Sequence, residues 1–222
     1  MTVLFVAMTM LFFLTLEVVV RRVRSAKTVP ATTVHTAQPA YPVRLPDGIF
    51  FARSHTWLSL FPSGKVRLGV DDFVGRLLDK PEVEYLKSTG DSVKKGEPLF
   101  SLSEGGRTLT LRAPMDGRII GVNEQLAKNP GLLKENLFSE GWAYTIQPEK
   151  PSELRSLMLG EETRSWIPQE FRRLRDVFAG VAVEGELVPA LLQDGGQPVA
   201  GALKHMGPDV WDNFEEEFLQ VR

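Results

Sequence analysis

The sequence contains no cysteine at all. That excludes a disulfide scaffold, thiolate zinc ligation, iron–sulfur clusters and thiol catalysis together. Histidine is nearly as scarce: His35, His55 and His205 are the whole supply, and no two stand at metal-ligand spacing, so a histidine-based metal site is not expected. An excess of either charge is also missing, with 26 basic against 28 acidic residues, which argues against binding driven by phosphate neutralisation. Neither glycine pair, Glu104-Gly105-Gly106-Arg107 nor Asp194-Gly195-Gly196-Gln197, matches a P-loop or dinucleotide fingerprint. Ser54, Ser101 and Ser103 lack a nucleophile elbow. His55 beside Trp57 reads as a strand histidine and only a weak base candidate, so the chain is not expected to be an enzyme.

What is present is a 222-residue chain, 43% apolar, enough for one core plus appendages. Residues 2–20 are apolar apart from Thr2, Thr9, Thr15 and Glu17. At 1.5 Å per residue they reach about 28 Å, close to the ~30 Å of bilayer hydrocarbon. Glu17 stands four residues before Arg21, the favourable order for a helical ion pair. The basic cluster Arg21, Arg22, Arg24 and Lys27 follows the apolar run, the reverse of a cleavable signal. Residues 1–24 therefore read as an uncleaved anchor with a basic flank, the N-terminus outside and the soluble part cytoplasmic. Residues 25–46, with Pro30, Pro39, Pro42 and Pro46, read as a tether.

Short β runs follow. The segments 49–61 and 65–70 are joined by Pro62-Ser63-Gly64, a hairpin signature. Asp71 or Asp72 can cap a short helix carrying Phe73, Leu77 and Leu78 on one face, ended by Lys80-Pro81. Further strands are expected at 83–86, 93, 99–102, 109–111, 117–122 and 143–146, a compact barrel or sandwich. The turn-plus-strand units 90–102 and 113–123 flank the tip at Glu104-Gly105-Gly106-Arg107 like two quasi-equivalent halves.

His55-Thr56-Trp57, Gly69-Val70-Asp71-Asp72, Gly90 through Val93 to Gly96-Glu97, Ala113-Pro114 with Gly117, Asn123 with Leu126, Pro130 with Leu132, and Glu140-Gly141-Trp142 form a pattern. With Pro151-Ser152-Glu153-Leu154 and Leu157 it resembles the glycine cleavage system H-protein family, of the lipoyl and biotinyl carrier superfamily, over residues 45–164. The resemblance implies a mainly β, flattened lipoyl-type barrel sandwich with short helices over residues 47–164; the one transmembrane helix read from the apolar run precedes it, and a small α+β extension beyond the usual family end follows it. It also implies lipoate on a lysine at the hairpin tip. Family spacing places that lysine on Gly106, and no lysine occurs between Lys95 and Lys128. Arg107 is no substitute, because a guanidinium stays protonated. Thr56 and Thr110 stand where the resemblance implies carboxylates beside the resting arm, and Asp79-Lys80 replaces the usual Gly-Asp.

Downstream, residues 165–180 read as an amphipathic helix with Pro168 in its first turn, Phe171, Leu174 and Phe178 apolar, and Arg172, Arg173 and Asp176 opposite, stopped by Gly180. Residues 181–222 form an acidic extension: strands at 183–192 and 197–203, then a helix from Pro208 striped by Val210, Phe214 and Phe218 and widened by Trp211 and Leu219. That stripe reads as closing a small subdomain, and Asp212, Glu215, Glu216 and Glu217 as a solvated face. The expectation is a membrane-tethered, non-lipoylated H-protein-like scaffold with no cofactor, no catalytic residue and no metal, whose partners are proteins that recognise the H-protein or lipoyl-domain surface. The alternatives are a working glycine cleavage component with a non-standard carrier site, and a structural part of a membrane assembly.

Overall fold

The computed structural model describes residues 43–181, 192–193, 197–198 and 200–221. The proposed anchor at 2–20, and His35 with it, lie outside the described residues. Two compact units divide the chain, 1–40 and 41–222, and the second is built as follows.

Two sheets enclose the core. The larger runs in the order β10-β1-β2-β3-β9-β8-β5 and the smaller β4-β6-β7, with every pairing antiparallel. The strands are β1 Phe50–Phe51, β2 Thr56–Leu60, β3 Val66–Val70, β4 Glu82–Tyr85, β5 Ser92–Val93, β6 Pro98–Glu104, β7 Arg107–Arg112, β8 Gly117–Val122, β9 Tyr144–Pro148 and β10 Met158–Leu159. Alternation sends Leu58, Leu68, Tyr144 and Ile146 inward from the large sheet and Phe100, Leu102, Leu109 and Leu111 from the small one, all buried. Tyr144 ties the layers together: its hydroxyl donates to Leu99 O at 2.7 Å and accepts from Lys87 N at 3.2 Å. The two expected half-units are cross-linked by Gly96 N to Ala113 O and Ala113 N to Glu97 O, both 2.8 Å.

The segment 49–61, expected as one strand, folds back on itself. Phe50 and Phe51 pair with Leu58 and Trp57 across a turn closed by His55 N to Ala52 O at 3.0 Å. His55 makes that reversal at φ 57°, the left-handed region. Histidine visits it more readily than most side chains, so the turn needs neither the Gly nor the Pro by which turns are usually read. The hairpin at Pro62-Ser63-Gly64 stands as expected, with Gly64 at φ 78°.

Helix α1, Asp72–Leu77, is capped by Asp71, whose Oδ1 accepts from Val74 N at 3.1 Å. Asp72 instead holds Arg44, accepting from its backbone N at 2.9 Å and its Nη2 at 2.6 Å, and so fixes where the chain enters the domain. Helices α2, Glu124–Lys128, and α3, Leu132–Glu135, bridge β8 and β9. Helix α4 spans Glu161–Val181, so Pro168 lies inside it and not in its first turn. Proline there forfeits one bond, to the carbonyl four residues back, while Trp166, Ile167, Phe171, Leu174 and Phe178 keep the helix on the core.

In the extension, β11 Leu192–Gln193 pairs with β12 Gln197–Pro198, and the remainder of the strand expected at 183–192 lies outside the described residues. Residues Ala202–His205 form a 3-10 turn instead of continuing a strand. Helix α5, Pro208–Phe218, begins at Pro208 as expected. Its stripe does not close a separate subdomain: Phe214 stacks on Phe73 of α1 at 6.4 Å and Phe218 packs tilted against it at 5.7 Å between ring centres.

Close backbone approach at Gly117 gives a direct test. A Cβ there would lie 2.5 Å from Ile146 Cγ2 and 2.8 Å from Gln147 O, whereas Gly64 faces open space. Gly117→Ala is expected to cost about 2–3 kcal/mol by overpacking, and Gly64→Ala about 1 kcal/mol through its backbone alone. Urea midpoints of the two variants check the ordering.

Candidate functional site

The tip at Glu104 to Arg107 is a two-residue hairpin turn. Glu104 pairs with Arg107, and Gly105 and Gly106 both take positive φ, 60° and 77°, the backbone that a type I′ turn needs and that glycine supplies without strain. Space around both glycines is open. Ser103 Oγ and Thr108 Oγ1 meet across the strands at 2.8 Å. No tip residue carries an amine.

The base of the hairpin is fixed by Glu104, which is buried. Its carboxylate accepts from Asp79 N at 3.0 Å and Lys80 N at 2.6 Å. Asp79 in turn accepts from Lys134 at 3.2 Å and Lys204 at 3.0 Å, and those lysines hold its carboxyl below the usual range. The pair Asp79-Lys80 therefore serves as the hairpin's seat: both of its amides are used. An apolar hollow of about 340 Å³ lies beside that seat, lined by Lys80, Pro81, Pro130 and Leu133 among others, and the tip residues take no part in it.

His55 is elsewhere, and it is wholly buried. Phe73 stacks on one face at 4.3 Å between centres and Trp166 on the other at 4.8 Å. Nδ1 lies 2.7 Å from Asp71 Oδ2, while Nε2 is 3.5 Å from Glu170 Oε2, near enough for charge pairing but outside hydrogen-bond geometry. Burial alone would push the imidazole's pKa down. The Asp71 charge and hydrogen bond, joined by the nearby Glu170 carboxylate, outweigh it and hold His55 up at about 9. It is thus a cation at neutral pH and has no proton-accepting capacity to offer as a base. Glu170 shows the converse: burial works to raise its pKa, and His55 and Arg173 bring it below the usual value.

The chain of charges continues outward. Glu170 accepts from Trp166 Nε1 at 2.8 Å and Arg173 Nη1 at 2.7 Å. Arg173 reaches Glu217 of α5 at 2.6 Å on the backbone oxygen and 2.8 Å on the carboxylate, and lies 4.7 Å over the Phe218 ring. Arg173, expected on a solvent face, therefore stands between two helices. Glu215 accepts from Thr110 N of β7 at 2.9 Å, so the back of α5 is not simply solvated. Asp209, Asp212, Glu216 and Glu217 of its acids are exposed, and Glu215 is half-buried.

Of the residues singled out from the sequence, the structure brings the tip together and buries His55 apart from it. Ser54 and Thr56 face each other at 3.4 Å, both buried, and Ser101 is buried in β6. His205 lies exposed in the 3-10 turn. The sequence reading missed Glu170, although its position four residues after Trp166 and before Leu174 puts a carboxylate on the apolar face of the helix, a signal for a buried partner. Among the described residues no cluster of three or more His, Cys, Asp or Glu could hold a metal ion.

Two sheets present a hairpin whose base is clamped by Glu104 and whose tip is open. The profile of the glycine cleavage H-protein family matches residues 49–170, and the chain belongs to that family. It is 31% identical over 129 residues to the glycine cleavage system H protein of Anaeromyxobacter sp., covering 58% of this chain and 99% of that protein. To the same protein of Halalkalibacterium halodurans it is 29% identical over 126 residues, 57% of this chain and 98% of that one. The crystal structure of a glycine cleavage system H protein from Mycobacterium marinum aligns at 23% identity with a TM-score of 0.49, over 56% of this chain and 99% of that one. The family is one of lipoyl carriers rather than catalysts.

The His55 ion triad generates a pH prediction. A folded pKa of about 9 against the ordinary 6.5 means that the stabilisation is complete below pH 6.5 and is lost as pH rises through 9, a loss on the order of 3 kcal/mol. Denaturation midpoints measured from pH 6 to 10 should fall along that window. In His55→Ala the slope should vanish and stability should drop by about 3–5 kcal/mol at pH 7, because Asp71 and Glu170 are left buried without their cation.

Proposed function

We propose that this chain is a membrane-tethered H-protein-like adaptor whose hairpin is not lipoylated and whose retained surface recruits proteins that recognise the H-protein shape. The carrying observation is the tip itself, Glu104-Gly105-Gly106-Arg107, with no lysine between Lys95 and Lys128. Amide attachment of lipoate needs a side-chain nitrogen that can lose its proton and attack an activated acyl group. Glycine offers no side chain, and the Arg107 guanidinium stays protonated. The residues at the tip do not fit the group that the family carries.

The retained family pattern and the seated hairpin support a role in recognition. The partners in this reading are enzymes that handle H proteins or lipoyl domains. Tethering by residues 2–20 would place the domain on the cytoplasmic face and raise its effective concentration toward partners held at the same surface without any new contact. Support for the tether comes from the length of the apolar run and from the basic cluster that follows it.

Intact mass of the full chain captured from native membranes tests the reading. The expected result is an unmodified chain that brings lipoate-dependent or one-carbon enzymes with it; a single added lipoyl mass overturns it. A companion variant, Gly106→Lys, is expected to become lipoylated when co-expressed with a lipoate-attaching enzyme, with Gly106→Ala as the control for the turn. Protease digestion of spheroplasts is expected to spare the domain, and its digestion would reverse the assigned side.

A further inference from the structure

The barrel is complete before α5 is added. The family match ends at residue 170, and the relatives above are covered almost end to end by 126 to 129 aligned residues. Helix α5 nonetheless lies along β7, the outer strand of the smaller sheet, and against α4. Apart from the Arg173 ties to Glu217 and Phe218, the side-chain contacts that seat it on the sheet and on α1 fall on residues inside the family-matched region. Phe214 and Phe218 cover Phe73, and Phe218 approaches the His55 ring at 5.9 Å. Glu215 occupies the outward amide of Thr110, with its other oxygen 3.8 Å from Arg112 Nη2. The segment leading into α5 is tied down as well: Gly201 N donates to Arg76 O at 2.9 Å, and Trp211 Nε1 to Leu203 O at 2.9 Å.

The arrangement is that of a helix seated in a groove. Its floor is aromatic, made by Phe73 and His55, and its wall is a strand edge with a backbone donor to offer. Such a groove selects an amphipathic helix with two aromatic residues four apart, to fill the floor, and an acid beside the first, to cap the edge. Phe214, Glu215 and Phe218 have that pattern.

We propose that the β7 edge and the aromatic floor beneath it form a helix-docking surface, and that residues 200–221 are a built-in occupant that closes it to other helices. A partner helix of the same pattern binds only where α5 gives way. The occupancy stands whether or not the hairpin carries lipoate, so its failure and that of the adaptor reading are separable.

The test uses the full chain and a fluorescent peptide of residues 200–221. The doubly substituted chain Phe214→Ala, Phe218→Ala weakens the resident helix and leaves the groove unaltered. It is expected to bind the peptide at least tenfold more tightly than the unsubstituted chain does, and a Glu215→Ala peptide at least fivefold less tightly than the native peptide. A variant that keeps its β-sheet circular dichroism yet does not bind overturns the proposal. One that loses that spectrum overturns it too, because α5 is then core and not cover. The milder pair Glu215→Ala with Glu217→Ala cuts only polar ties. It is expected to raise amide exchange at Thr110 at least tenfold while β6 amides stay unchanged, and unchanged exchange at Thr110 counts against the proposal.

Discussion

A cation sealed away from water is unstable unless anions meet it, and His55 is sealed on every side. Asp71 and Glu170 meet it from two different elements, and each of those carboxylates has a second duty. Asp71 caps α1 through Val74 N, and Glu170 anchors Trp166 and Arg173 of α4. One imidazolium therefore sets three placements at once: the reversal between β1 and β2, the start of α1 and the docking of α4. The cost of leaving any of the three charges unpaired couples the placements, which is the form of cooperativity expected of a fully connected buried polar network. Arg173 then carries the constraint out to Glu217 and so to α5.

The hairpin is held by the same principle with weaker charges. Glu104 is buried at the point where β6 leaves the sheet, and it is satisfied by the two consecutive amides of Asp79 and Lys80. A side chain in place of a strand terminates the sheet there, so the turn projects from a fixed base while its two glycines face open space. Rigidity at the base and freedom at the tip suit a turn that other proteins must read, whatever the tip itself carries.

Much of this was legible in the sequence, and the failures have physical causes. Strands β6 and β8 stand close to where the apolar runs 99–102 and 117–122, each bounded by turn residues, place them. The β1–β2 reversal was hidden because its left-handed residue is histidine, not glycine. Helix α4 was begun too late because Pro168 looked like a start, whereas the burial of Trp166 and Ile167 before it and of Phe171, Leu174 and Phe178 after it outweighs one missing hydrogen bond. The tip was legible in full, since a two-glycine turn between alternating strands has few other meanings. The buried ion chain was not. A charged residue is assigned to solvent by default, and only the three-dimensional meeting of α1, α4 and α5 shows that Glu170 and Arg173 are shared between helices.

Edge strands explain why cover on β7 matters beyond packing. The smaller sheet ends at β7, whose outward amides would otherwise be free to pair with another chain. A second strand laid on that edge would extend the sheet and merely move the exposed edge outward. A carboxylate from a crossing helix satisfies an edge amide without offering a new row of donors and acceptors, and that is what Glu215 does at Thr110. On the proposed anchor, neighbouring copies would be confined to one surface and would meet at far higher local concentration than in solution. Under that confinement an open edge beside an aromatic floor would be a site of self-association, so a helix that closes both at once confers selectivity as well as stability. The acidic outer side of α5, with Asp212 and Glu216 exposed, adds like-charge repulsion between copies on the face where unwanted pairing would begin.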